Sequence, residues 1–221
     1  MVSFSLRKGS GKGRIALLLS AHTDDCELGM GGTIARLVEA GFAVRWLIFC
    51  NAWQSLPKGF DKTTLITEQY SAAAAFGIPA DAVEMDDIPV RRFPEFRQDI
   101  LEVLVAEARK TRPDLVFCPS LQDRHQDHQT LAQEAQRAFK QTNLIGYILP
   151  WNMKHEQRTA QVEIGPDHFE QKKAALACYQ SQAGRTYFGA DAVEVLLKAG
   201  GLVSGMEMAE TFEVINLSTR L

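Results

Sequence analysis

Ile15-Ala16-Leu17-Leu18-Leu19-Ser20, followed at once by Ala21-His22-Thr23-Asp24-Asp25-Cys26-Glu27-Leu28-Gly29-Met30-Gly31-Gly32-Thr33, is the stretch whose reading decides the fold. The first six residues are an apolar run of strand length. Beyond the second block, Ile34, Leu37 and Val38 recur at helical spacing. The whole therefore reads as strand, loop and helix, with His22, Asp24 and Asp25 at the mouth of the strand. Open parallel sheets bind ligands outside the carboxyl ends of their strands, so this is where such a fold places chemistry.

Outward from this unit, strand and helix keep alternating. A helix ends near Gly41, residues 44–50 form a second apolar strand, and residues 51–61 make a loop long enough to wall a site. Residues 63–76 read as a helix and 83–85 as a short strand. Pro94 opens a helix with Ile100, Leu101, Leu104, Val105 and Ala108 on one face. Residues 115–118 are the next buried strand, and the polar residues 120–129 lead into a helix marked by Leu131, Ala135 and Phe139. Residues 145–149 form a further strand. After Pro150 come an antiparallel strand at 161–164, helices over about 166–182 and 189–199, and a terminal strand near 211–216. This pattern predicts a three-layer α/β fold with a mainly parallel sheet and helices on both faces. We read residues 1–221 as one domain, with 1–13 a flexible lead-in.

Composition narrows the function classes. With 46% apolar residues, 23% charged residues and a net charge of −3, the chain has no basic field for nucleic acid and no polybasic segment for a membrane. The run at 15–19 is too short for a transmembrane helix, and no secretory signal is supported. Cys26, Cys50, Cys118 and Cys178 show no paired spacing, which argues against a cysteine zinc knuckle and favours a reducing cytoplasm. Gly9-Ser10-Gly11-Lys12-Gly13 lacks the spacing and the preceding strand of a phosphate loop. Gly29, Gly31 and Gly32 do not complete a dinucleotide fingerprint and are read as close-packing positions behind the loop.

The second polar stretch is Asp123-Arg124-His125-Gln126-Asp127-His128-Gln129, again directly after a strand. Three of the five histidines, His22, His125 and His128, thus lie in two loops on one edge of the sheet, beside Asp24, Asp25 and Asp127. A catalytic zinc needs three nitrogen or oxygen ligands and an open position for water. His22 and Asp25, three apart at a helix entrance, and His128 at the start of the next helix supply such a set. Asp24 and His125 are left to move protons, with Asp127 placed to hydrogen-bond the His125 ring. Against this stands a plainer reading in which Asp24–Asp25 and Asp127 merely cap helices. Two such loops at two strand ends favour the metal site.

These motifs, with residues 177–182 (Ala-Cys-Tyr-Gln-Ser-Gln) and 209–212 (Ala-Glu-Thr-Phe), resemble the LmbE-like (PIG-L) zinc-dependent N-deacetylases. The resemblance implies a Rossmann-like fold and hydrolysis of the acetamide of N-acetylated sugars or related conjugates. It also implies metal held by His22, Asp25 and His128, Asp24 as base, and His125 with Asp127 stabilising charge. Zinc is the implied metal, while His and carboxylate ligands also suit Fe2+. Thr23 replaces the family's usual proline, and Leu65, three residues before Glu68, falls where many sugar-specific members carry arginine. The expected partner is a small N-acetylated substrate, most simply an amino sugar or sugar conjugate; a homo-oligomer is left open. Hydrolysis of another amide or an ester, and sugar binding without turnover, are the alternatives. Weaker site candidates are His155, Trp53, Trp151, Tyr187 and Arg185, the last for an acidic substrate group; His168 is read as structural, and Cys26, though inside the opening motif, as a loop cysteine with no role.

Overall fold

The structure is a computed structural model describing residues 6–155 and 158–218. Seven strands form one sheet: β1 (Ile15–Ser20), β2 (Ala43–Ile48), β3 (Val83–Met85), β4 (Leu115–Pro119), β5 (Asn143–Tyr147), β6 (Ala160–Glu163) and β7 (Ala209–Asn216). Their order is β3-β2-β1-β4-β5-β7-β6. The first five run parallel; β7 is antiparallel to both β5 and β6. The central strands are covered on both faces, which is why they read as unbroken apolar runs: every residue of β4 is buried, and so are Ala16 to Ser20 of β1.

Among the described residues six α-helices complete the layers: α1 (Asp25–Ala40), α2 (Thr64–Ala75), α3 (Arg97–Thr111), α4 (Gln126–Ala138), α5 (Pro166–Ala177) and α6 (Ala190–Ser204). From β1 the chain adds β2 and β3 on one side, then returns to add β4 and β5 on the other. Right-handed crossovers in opposite directions place α1 and α2 on one face and α3 and α4 on the other. The packing agrees, since α1 and α2 both rest on α5, and α3 rests on α4. The strand order reverses between β1 and β4, which pair in parallel with Leu17 opposite Val116. Their carboxyl ends therefore open the crevice in which such sheets bind ligands. Both polar stretches leave the sheet there.

Three local differences from the sequence expectation have physical causes. The helix expected over 166–182 ends at Ala177, and Gln180–Gln182 forms a separate 3-10 turn. The Glu68 carboxylate takes both the N–H and the hydroxyl of Ser181 (2.8 and 2.6 Å) and holds that turn inward. α6 continues past Ala199 to Ser204, because a Cβ at Gly200 would lie 2.2 Å from the carbonyl oxygen of Ala209 on β7. The glycine permits close approach and does not end the helix. Of the lead-in, residues 1–5 lie outside the described residues. Residues 6–13 form turns in which Leu6 is buried in the core cluster and Gly11 donates its N–H to the Ala40 carbonyl (2.9 Å).

α1 is broken at Met30, whose φ of −149° is not helical. The groups freed by the break are satisfied by a buried ion pair. Lys172 Nζ donates to the Leu28 carbonyl (2.8 Å) and to Glu210 (2.6 Å), and the Glu210 carboxylate accepts the N–H groups of Gly32 (2.9 Å) and Thr33 (2.7 Å). Just before the break, a Cβ at Gly29 would lie 2.7 Å from the Tyr147 ring, so glycine lets α1 settle onto β5.

Candidate active site

His22 leaves the end of β1, Asp25 opens α1, and His128 sits in the first turn of α4. Their donor atoms converge. His22 Nδ1 is 3.1 Å from His128 Nε2, Asp25 Oδ2 is 3.4 Å from His128 Nε2, and Asp25 Oδ2 is 3.6 Å from His22 Nδ1. All three residues are buried. A tetrahedral ion with bonds of about 2.0–2.2 Å needs donors separated by about 3.3–3.6 Å; two of the three separations match, and the two histidine nitrogens stand slightly closer, at 3.1 Å.

The outer nitrogens of both rings are occupied by carboxylates. His22 Nε2 meets Asp127 Oδ2 at 2.9 Å, and His128 Nδ1 meets Asp123 Oδ2 at 2.7 Å. Each carboxylate draws the ring proton outward and leaves the inner nitrogen's lone pair facing the other donors. Two lone pairs and a carboxylate oxygen turned toward one point fit a cation. Without one, a proton takes its place. Burial alone would lower the pKa of His22, but Asp127 and Asp25 outweigh it and push the ring up to about 10. Burial would likewise raise Asp25, yet His128 and His22 hold it low.

Asp127 corrects one expectation. Its carboxylate stands 4.0 Å from His125 Nδ1, too far for a hydrogen bond, and takes the His22 ring along with the N–H groups of Arg91 (2.6 Å) and Phe93 (3.2 Å). His125 instead caps α4: its Nδ1 accepts the Asp127 N–H at 3.2 Å, so the remaining proton sits on Nε2. Burial, then His128 and His22, lower the pKa of His125, and the ring is neutral near pH 7. The ring nitrogens of His22, His125 and His128 also fall within 4.8 Å of one another, a looser set than the one completed by Asp25.

Asp24 does not cap α1. It lies at φ 74°, ψ −19°, in the left-handed region, and its side chain makes no capping bond. Its N–H donates to the Tyr179 hydroxyl (3.2 Å), which sits in a buried cluster with Glu27 and Gln69. Burial, then Asp25 and Glu27, raise Asp24 well above the usual carboxylate range. Burial pushes Glu27 up to about 7. A strained, half-buried carboxyl beside a converging donor set has the properties of a group that exchanges protons.

His22, Asp24, Asp25, His125 and His128 all line one groove with a cavity volume of about 190 Å³. Leu28, Leu65, Val90 and Leu149 give it apolar walls. Trp151 and Tyr187 stack along it (4.2 Å between centroids, 14° between planes), and Arg185 donates to the Tyr187 hydroxyl at 2.6 Å. The other candidates lie elsewhere. His155 is exposed, His168 pairs with Glu39 (2.8 Å), Trp53 lies under the Lys62 ammonium (4.0 Å), and Cys26 is buried against the Leu19 carbonyl. The sequence reading gave no role to Asp123 and none to Tyr179. For Asp123 a signal existed, an acid five residues before His128; Tyr179 stood in the 177–182 motif, but nothing in the sequence tied it to Asp24, 155 residues away.

Comparison with known proteins gives the family and the fold. A diacetylchitobiose deacetylase of Thermococcus kodakarensis is 28% identical over 109 residues, covering 47% of this chain and 39% of that enzyme. The chain thus matches only about two-fifths of that relative's length. A conserved protein of Thermus thermophilus shares the fold with a TM-score of 0.76 and 25% identity, covering 93% of this chain and 96% of the other. The 4-carboxy-2-hydroxymuconate hydratase of Pseudomonas putida has the same fold with a TM-score of 0.75 and 20% identity, covering 94% and 99%. Its different chemistry shows that the fold alone does not choose the reaction. The family described as PIG-L: GlcNAc-PI de-N-acetylase matches residues 17–139, a span that holds both polar loops, and this chain belongs to it.

Proposed function

We propose that this protein is a metal-dependent hydrolase that removes the acetyl group from the amide nitrogen of a small N-acetylated substrate, an amino sugar or sugar conjugate. The observation that carries the reading is the set of three donor atoms of His22, Asp25 and His128, 3.1–3.6 Å apart, with Asp24 and His125 lining the same groove. A divalent metal held there, zinc in our reading, would acidify a water and polarise the amide carbonyl.

The chain's own residues do the rest. Asp24 takes the proton of the attacking water at its carboxylate. Neutral His125 donates from Nε2 to the oxygen that gains charge, worth about 3 kcal/mol if it behaves like one donor of an oxyanion hole. The leaving amine takes its proton from Asp24, which holds the one drawn from the water. Asp127 and Asp123 keep the ring protons of His22 and His128 turned outward, and the apolar walls hold bulk water away. Trp151 and Tyr187 offer a flat surface for a sugar ring. Four unpaired cysteines fit work in a reducing cytoplasm. No helix among the described residues is long and apolar enough to cross a membrane.

Acetate release from a panel of N-acetyl and O-acetyl sugars tests the reading. Turnover of N-acetyl substrates in the metal-loaded protein supports it. Turnover confined to O-acetyl esters, or tight sugar binding without turnover, would replace it with one of the alternatives.

A further inference from the structure

A second concavity lies at the far end of the sheet, where β1, β4 and β5 begin. Its volume is about 930 Å³, and Arg14, Arg109, Arg112 and Lys140 line it with a single acid, Asp114. That acid is already satisfied: Oδ1 accepts from Arg14 Nε (3.3 Å) and Oδ2 from the Ile15 N–H (2.9 Å). No carboxylate among the described residues lies within ion-pair distance of Arg109, Arg112 or Lys140. Three uncompensated cations therefore line one cleft of a chain whose net charge is −3.

Arg109 has an ordinary explanation, since a cation in the last turn of α3 suits the helix dipole. Arg112 does not. It follows the end of α3 at φ 47°, ψ 60°, a left-handed position that favours glycine. Only three other non-glycine residues among those described have positive φ: Asp24, Ala52 and Arg91. All three belong to the candidate active site, where Asp24 and Ala52 line the groove and the Arg91 N–H holds Asp127. Disfavoured backbone clusters where a site holds it in place, and Arg112 is the remaining case.

We propose that this cleft binds a small polyanion, one bearing two or more phosphate or carboxylate groups, through Arg109, Arg112 and Lys140. Its volume is in the range of small-molecule sites, and guanidinium forks match phosphate and carboxylate oxygens. The cations are gathered in one concavity and do not run as a stripe across the surface, which favours a small ligand over a nucleic acid. The site is separate from the groove at the carboxyl ends of β1 and β4 and stands without the functional reading above.

The test is calorimetric titration of the full chain with pyrophosphate, with metal content measured before and after so that chelation is not counted as binding. One saturable site per chain, weakening as salt is raised, is expected. Arg112→Gly, which suits the backbone there, should keep the melting temperature and weaken binding at least tenfold. Lys140→Ala should also weaken it, while Lys198→Ala, on α6, should not. Binding unchanged in Arg112→Gly and Lys140→Ala, an equal loss in Lys198→Ala, or weak unsaturable uptake showing an adventitious ion only would each overturn the proposal.

Discussion

Replacing Asp127 by asparagine tests how the metal site is built, because it changes almost no volume and replaces no proposed ligand. Asp127 Oδ2 receives the His22 ring (2.9 Å) and the Arg91 N–H (2.6 Å), and Oδ1 receives the Phe93 N–H (3.2 Å). All three partners are donors, and a carboxylate accepts from all of them. A carboxamide cannot. If its nitrogen faces Phe93, two N–H groups meet in a fully buried position. If its nitrogen faces His22, the ring must accept at Nε2, and its proton moves to Nδ1, the atom aimed at Asp25 and His128. Either way the donor set loses affinity. Losing a carboxylate behind a ligating histidine weakens metal binding by about 10–100-fold, or about 1.4–2.7 kcal/mol. The assay is competition with a chelator of known zinc affinity, with circular dichroism confirming the fold. Zinc affinity within twofold of the parent would refute the argument that Asp127 sets the His22 tautomer.

Further outcomes follow from the same site. With the His22 ring pushed up to about 10, it is protonated in the metal-free protein at neutral pH, and zinc must displace that proton. Apparent affinity should therefore rise with pH by up to tenfold per unit from about pH 6.5 toward 10, and calorimetry in buffers of different ionisation enthalpy should show proton release; pH-independent binding would contradict it. Asp24→Asn should keep its zinc and lose activity by about 10²–10⁴-fold, the scale of general-base catalysis, and near-normal turnover would remove Asp24 from that role. Lys172→Met strands the buried Glu210 carboxylate at the break in α1 and should cost about 3–5 kcal/mol, read as a melting-temperature fall of roughly 10 °C. A fall under about 2 °C would show that the pair does not support the break.

The fold and the site were unequally legible in the sequence. β1 and β4 are buried on both faces, so they read as apolar runs, and the polar residues packed directly after them stood out. That adjacency was enough to set His22, Asp25 and His128 on one edge. The partner of Asp127 was not legible, because local spacing pointed to His125 two residues away. The ring it meets is His22, brought within reach only by β1 lying beside β4. Tyr179 escaped for the same reason, since the turn that delivers it to Asp24 is held by Glu68 on another helix. The helix expected over 189–199 stopped short of Gly200 and Gly201, and only the closeness of Ala209 to the first and of Met206 and Glu207 to the second reveals that they are packing positions. Local pattern carried the elements and the loops; contacts between distant elements decided tautomers and strain.

The central claim is that His22, Asp25 and His128 hold the catalytic metal. Elemental analysis of the purified protein and its His128→Ala variant, both exposed to zinc and freed of excess, measures this directly. The account predicts about one zinc per chain in the parent and almost none in a folded His128→Ala protein. Equal zinc in the two would contradict it.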